Sequence, residues 1–157
     1  SSEQPIGQAG NVVSGQTRCV HGVDGAPPDR AHPGTHRWMS DPAQPLPAWL
    51  QLSWTEPIQP TCIQLIFDTG LHRVMTLSQA DGYTARMLWG CPQPETVSDY
   101  TIEAQVKGQW RQIVRVHGNY QRRVVHNIEE IFFNALRINV TATNGLDHVR
   151  ICEVRVY

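Results

Sequence analysis

The 157-residue chain is 40% apolar and only 17% charged, long enough to bury a core and too poor in charge for a disordered tail. Its formal net charge of −1 sets it apart from the basic chains that bind nucleic acid. It contains no apolar run of about 20 residues, the length a membrane-spanning helix needs, so membrane insertion is not expected.

Residues 1–18 are small and polar apart from the pair Val12-Val13. They carry no legible signal peptide, as expected of a mature protein or of a domain excised from a larger one. Residues 20–48 show no periodicity and hold six prolines, too many for a helix or an inner strand. Unpatterned segments of this length in a compact domain are usually functional or well packed. WLQLSW (49–54) then alternates as a strand does, EPIQP (56–60) predicts a turn, and CIQLIF (62–67) predicts a strongly apolar strand closed by DTG. Residues 68–98 are again irregular, with room for a strand near 86–89.

The stretch YTIEAQVKGQWRQIVRV (100–116) predicts a hairpin. Tyr100, Ile102, Ala104 and Val106 share one face, KGQ forms the break, and Trp110, Val114 and Val116 follow. RVVHNIE (123–129), ALRINVT (135–141) and VRICEVRVY (149–157) predict three more strands. Leu136, Ile138 and Val140 share a face. In the last strand the apolar parity slips from Val149 and Ile151 to Val154 and Val156, the mark of a β-bulge. Short strands between turn signals, with no sustained helical period, predict an all-β antiparallel sandwich or barrel in one domain covering 1–157.

Cys19, Cys62, Cys91 and Cys152 are widely spaced, without a C-x-x-C pair, which argues against a zinc ribbon and leaves three disulfide pairings or four reduced thiols. The signature motifs of serine hydrolases, P-loop proteins, dinucleotide-binding folds and zinc proteases are all absent from the sequence. His32 and His36 would share a helical face, but Pro33-Gly34 between them disfavours a helix. Glu129 and Glu130 are adjacent and so would point to opposite faces of a strand. The sequence gives no carboxylate pair of the kind a glycosidase needs, and no enzyme activity is expected.

Several motifs occur in a telling order: Asp24-Gly25, Thr35 to Ser40 (T-x-x-W-x-S), Pro47 to Leu52, the 63–67 strand, the 100–110 hairpin, Ala135 to Ile138, and the closing E-V-R-V-Y of 153–157. Together they span about residues 11–157 and resemble the galactose-binding-like, discoidin-type domains. PAWLQLSW, LIFDTGLHR and GNYQRRVVH resemble modules attached to secreted bacterial enzymes. The resemblance implies an antiparallel jelly-roll β-sandwich that is secreted or extracellular, binds a polysaccharide or oligosaccharide, and is covalently linked to a catalytic domain in its full-length protein. The alternative is a structural or protein-interaction module that packs on a neighbouring catalytic domain without binding sugar, marked by an exposed apolar patch near Leu71 or Trp89.

The same resemblance implies a structural calcium held by Asp24, Thr35 and Glu153. Calcium takes six to eight oxygen ligands, many of them loop carbonyls. The competing reading gives Asp24 an Asx-type turn before Gly25 and pairs Glu153 with Arg150 or Arg155. Sugar recognition calls for an aromatic platform and a few aimed polar groups, which the resemblance places on loops at one end of the sandwich. Trp38, Trp49, Trp54 and Trp110 lie in or beside strand patterns and read as core or sheet surface. The loop candidates are the aromatics Tyr83, Trp89 and Tyr120 and the polar residues His72, Arg73, Arg122, Asn144 and His148. Asp68 is read as the cap of its strand. The arginines beside Tyr120 suit an acidic sugar, because guanidinium pairs with carboxylate in bidentate fashion.

Overall fold

Alternating side chains become paired strands in the computed structural model, which describes residues 1–15, 17, 36–70, 88 and 90–157. Among the described residues the strands are β1 (Trp38–Met39), β2 (Ala48–Ile58), β3 (Cys62–Phe67), β4 (Val97–Val106), β5 (Gln109–Val116), β6 (Arg123–Asn127), β7 (Phe133–Thr143) and β8 (Arg150–Val156). They form two antiparallel four-stranded sheets, ordered β1-β8-β3-β6 and β2-β7-β4-β5. The predicted all-β antiparallel sandwich is therefore observed. A 3-10 turn over Ala9–Val13 precedes the strands and buries Val12 while leaving Val13 exposed. The strand considered near 86–89 lies outside the described residues.

The apolar rows of β3, β4 and β7 face the space between the sheets, whereas Trp110, expected beside Val114 and Val116, turns to the outer face. Leu136, Ile138 and Val140 of β7 and Ile102 of β4 are completely buried, as are Ile63, Leu65 and Phe67 of β3. Phe67 meets Tyr100 edge-on with 5.4 Å between ring centroids, a favoured aromatic geometry. The hairpin β4–β5 turns on Lys107 (φ 50°) and Gly108 (φ 81°). Positive φ at both central residues marks the primed turn that matches strand twist, and glycine meets that demand most easily.

Two irregularities stand out. The predicted turn at 56–60 is corrected: β2 continues through Pro57 to Ile58. Proline is tolerated there because β2 is an edge strand and its register with β7 shifts between Ser53 and Ile58. The predicted bulge in β8 is present. Ile66 pairs with Glu153 while Phe67 pairs with Ile151, so Cys152 is the extra residue. Of the cysteines, Cys62 and Cys91 carry free thiols.

The four tryptophans expected in strand patterns divide as follows. Trp38 is buried, and Trp54 is half-buried against Phe133 at 6.0 Å. Trp49 and Trp110 lie on the outer face of their sheet, on either side of Arg137.

Tyr100 shares a 2.8 Å hydrogen bond with His126 Nε2 in the interior. Burial raises the Tyr100 pKa and lowers that of His126. The unfolded chain therefore takes up a proton at His126, near pH 6.5, before the folded one does. The stabilisation is present above about that pH and is lost as pH falls through it towards the lowered folded value. Thermal melts between about pH 7.5 and 5 should show Tm falling more steeply in the wild type than in His126→Gln; equal slopes would exclude this origin.

Candidate functional site

The strand directions bring four connections to one end of the sandwich. Phe67 at the end of β3 pairs with Ile151 near the start of β8. Arg123 at the start of β6 pairs with Ile66, and Val97 at the start of β4 pairs with Thr143 at the end of β7. Segments 40–47, 117–122 and 144–149 and the two described ends of the 68–96 connection, 68–70 and 90–96, therefore converge.

Asparagine side chains fasten these segments together. Asn144 Nδ2 donates to the Thr96 carbonyl (3.0 Å) and to the Asn119 carbonyl (2.9 Å). Asn119 Nδ2 donates to the carbonyls of Val97 (2.7 Å) and Gln121 (3.2 Å), while its Oδ1 accepts from the Gln121 N–H at 3.1 Å. Thr96 Oγ1 donates to the Asp68 carbonyl at 3.1 Å. Two amide side chains thus bind backbone carbonyls of three segments at the point where the β4–β7 ladder ends.

Beneath this frame lies a buried group of charges. Asp68 Oδ2 accepts from Arg37 Nη1 at 2.6 Å and from Arg150 Nη1 at 3.5 Å. Its Oδ1 accepts the Gly70 N–H at 3.0 Å, so Asp68 does cap its strand. Glu95, completely buried, is a second negative charge acting on Arg150. Burial, and then the like charge of Arg37, lower the Arg150 pKa, while the two carboxylates oppose that shift. Arg150 Nε donates to His148 Nε2 at 2.9 Å. That nitrogen therefore carries no proton, so Nδ1–H donates to Asp147 Oδ1 at 2.6 Å. The hydrogen bond from His148 keeps the exposed Asp147 carboxyl below its usual pKa.

The candidate residues take different places in this arrangement. Tyr120 stands 65% exposed at the tip of 117–122. Arg122 is half-buried and ties its loop down: Nη2 donates to the Thr17 carbonyl, its own carbonyl accepts the Phe67 N–H at 2.7 Å, and its Nε is buried without a hydrogen-bond partner. Asn144 and His148 are brought to the same end, Asn144 as a strut and His148 with both ring nitrogens engaged. Glu153 takes the arginine partner anticipated in its competing reading, with Oε1 2.5 Å from Arg155 Nε; its Oε2 is buried without a hydrogen-bond partner. His72, Arg73, Tyr83, Trp89, Asp24 and Thr35 lie outside the described residues. Among the described residues, no three His, Cys, Asp or Glu side chains gather as a metal site. Sequence reasoning missed Arg37 and the part Arg150 plays with Asp68. A lone arginine flanking a strand carries no signal of burial.

Asn144→Ala should cost about 1–3 kcal/mol, because it leaves the Asn119 carbonyl unsatisfied and Thr96 with the Asn144 backbone N–H alone, and Asn144→Asp, which cannot donate, should cost about the same. At roughly 2–4 °C of Tm per kcal/mol for a chain of this size, calorimetry resolves that loss. Tyr120→Ala, at an exposed tip, should stay within about 0.5 kcal/mol of the wild type. A Tm unchanged in both Asn144 variants would refute the strut.

No protein-family profile matches the chain, and no curated protein sequence does. Solved structures do resemble it. The family 32 carbohydrate-binding module of Clostridium perfringens NanJ, in complex with galactose, superposes with a TM-score of 0.67 at 12% identity over 99% of this chain and 88% of that one. The family 32 module of Streptococcus pneumoniae EndoD gives 0.67 at 15% identity, covering 100% and 89%. A further family 32 module of C. perfringens, in complex with GalNAc-β-1,3-galactose, gives 0.67 at 10% identity, covering 100% and 91%. The chain has the galactose-binding-like β-sandwich fold that these carbohydrate-binding modules share.

Proposed function

We propose that this chain is a non-catalytic carbohydrate-binding module that grips a polysaccharide or oligosaccharide with the loop end and, outside the cell, holds a linked catalytic domain to that polymer. The observation that carries the reading is the exposed Tyr120 ring on a loop fastened by Asn119 and Asn144. An aromatic face held on a rigid loop suits the C–H face of a sugar, and holding it still beforehand lowers the cost of binding. Solved modules of the same fold, two of them in complex with sugars, support the reading, as does a family 89 glycoside hydrolase of C. perfringens, 13% of whose chain this one covers. In this reading His72, Arg73, Tyr83 and Trp89 join Tyr120 from the 68–96 connection. Arg122, Asn144 and His148 position the loops and supply polar edges.

The test is a glycan array of plant, algal and bacterial polysaccharides. Weak single-site binding is expected, with Kd near 1 mM, or about −4 kcal/mol. The linked domain makes up for that weakness by raising effective concentration. Tyr120→Ala should weaken the best hit roughly ten-fold with Tm unchanged. Absence of any hit would favour the docking-module reading instead.

The calcium reading has one support of its own. Glu153 Oε2 is a buried carboxylate oxygen without a hydrogen-bond partner, a donor that suits a hard cation. Glu153, Asp24 and Thr35 would hold the ion, which would tie the early loop to β8. A ligand that binds only the folded state raises its stability, so EDTA should lower Tm in the wild type and leave Glu153→Gln unmoved. An EDTA-insensitive wild type would remove calcium from the proposal.

A further inference from the structure

We infer a second binding surface, away from the loop end, on the outer face of the sheet β2-β7-β4-β5, centred on Arg137 and suited to a carboxylated polysaccharide. The geometry begins with a stack. The Arg137 guanidinium carbon lies 4.7 Å from the centroid of Trp49 and 4.1 Å from that of Trp110, within the range of cation–π attraction. The ladder explains the placement. Gln51 and Glu103 flank Arg137 in register on the two neighbouring strands. Trp49 sits one outward row along β2 and Trp110 one outward row the other way on β5, so the indoles reach the guanidinium from opposite sides.

The stack fixes the plane of the guanidinium and leaves most of its hydrogen-bonding capacity unused. Of five N–H donors on an arginine, one is engaged, by Gln51 Oε1 at 3.0 Å from Nη2. Nε is buried without a partner, and no hydrogen bond holds Nη1 among the described residues. A planar fork held in one orientation is the group that pairs with a carboxylate in bidentate fashion.

The surroundings select the occupant. On the outward rows Arg137 and Arg115 stand with two carboxylates, Glu103 in register and Asp99 joined to Arg115 through His117, so the face is free of the net negative charge of −1 that the chain as a whole carries. Most of its remaining polar groups are side-chain amides, including Gln51, Gln105, Gln112 and Asn139, which both donate to and accept from hydroxyls. Trp49 is 41% exposed and offers an apolar edge for sugar C–H groups. Two arginines are too few for a phosphate polymer, whose binders make several phosphate contacts. Hydroxyls, C–H faces and spaced carboxylates together describe a polyuronate.

The test titrates the full chain with polygalacturonate at low salt and follows tryptophan fluorescence. Arms with carboxyl-reduced polymer and with polyglutamate run beside it. Binding to polygalacturonate should fall at least ten-fold in Arg137→Gln and in Trp49→Ala, and should also weaken in the charge-conserving Arg137→Lys, which lacks the fork. It should persist in Tyr120→Ala and disappear with reduced carboxyls. No binding, equal binding of polyglutamate, or retention in the Arg137 and Trp49 variants would overturn the inference. Loss confined to Tyr120→Ala would also overturn it, placing the acidic glycan at the loop end. Because the two surfaces are mutated separately, either can fail without the other.

Discussion

Asp68 is the residue on which the loop end is built. Its carboxylate sits at the end of β3, buried between Arg37 from the segment before β1 and Arg150 at the start of β8. Buried charges cost several kcal/mol each in lost hydration, and attraction repays that only when the geometry is close and the remaining donors and acceptors are satisfied. Here Glu95 brings the local count to two cations and two anions. Asp68 also receives the Gly70 N–H, and its own carbonyl receives Thr96 Oγ1. One residue thereby fixes, with its carboxylate, where β3 stops and how 68–70 leaves the sheet and, with its carbonyl, where 96 returns. Removing either partner would leave an uncompensated charge in the interior, so the loops inherit the rigidity of the sheets.

Above that layer the work is divided between neighbours. Asn119 is 8% exposed and spends its amide on backbone atoms, whereas Tyr120, next in the chain, is 65% exposed. Asp99 reinforces the same turn by accepting the Gly118 N–H at 2.8 Å. That bond, together with one from Ser98, holds the Asp99 carboxyl below its usual pKa. A tip residue on so many anchors loses little freedom when a ligand meets it, which is what a weak-binding surface needs.

How legible all this was in the sequence depended on whether the cause was local. β3 and β7 follow from apolar rows in CIQLIF and ALRINVT, because a half-buried or buried strand writes its period into its own residues. The bulge at Cys152 was visible as a slip of parity. The extension of β2 through Pro57 was not, since proline reads as a turn unless the strand is known to be an edge. The Arg37–Asp68–Arg150 group was hidden for another reason. Its members are 31 and 82 residues apart, and nothing near any one of them marks it as buried. The strand pattern marked Trp49 only as core or sheet surface, and it is the pairing of four strands that puts it on the outer face, beside Arg137 and opposite Trp110.

The bulge also shows how one backbone irregularity sets the chemistry of a surface. Ile151 and Val154 both belong to the core, although they are three residues apart. In an unbroken strand, residues of odd separation point to opposite faces. The extra residue at Cys152 restores the parity, so Val154 faces inward and Glu153, opposite Ile66, takes the other face of the sheet. Without it the Glu153 carboxylate would point between the sheets at Leu65 and Phe67, where no cation could compensate it, and Val154 would leave the core. The bulge therefore returns an apolar side chain to the interior and delivers the Glu153 carboxylate to the outer face, beside the arginine that now pairs with it.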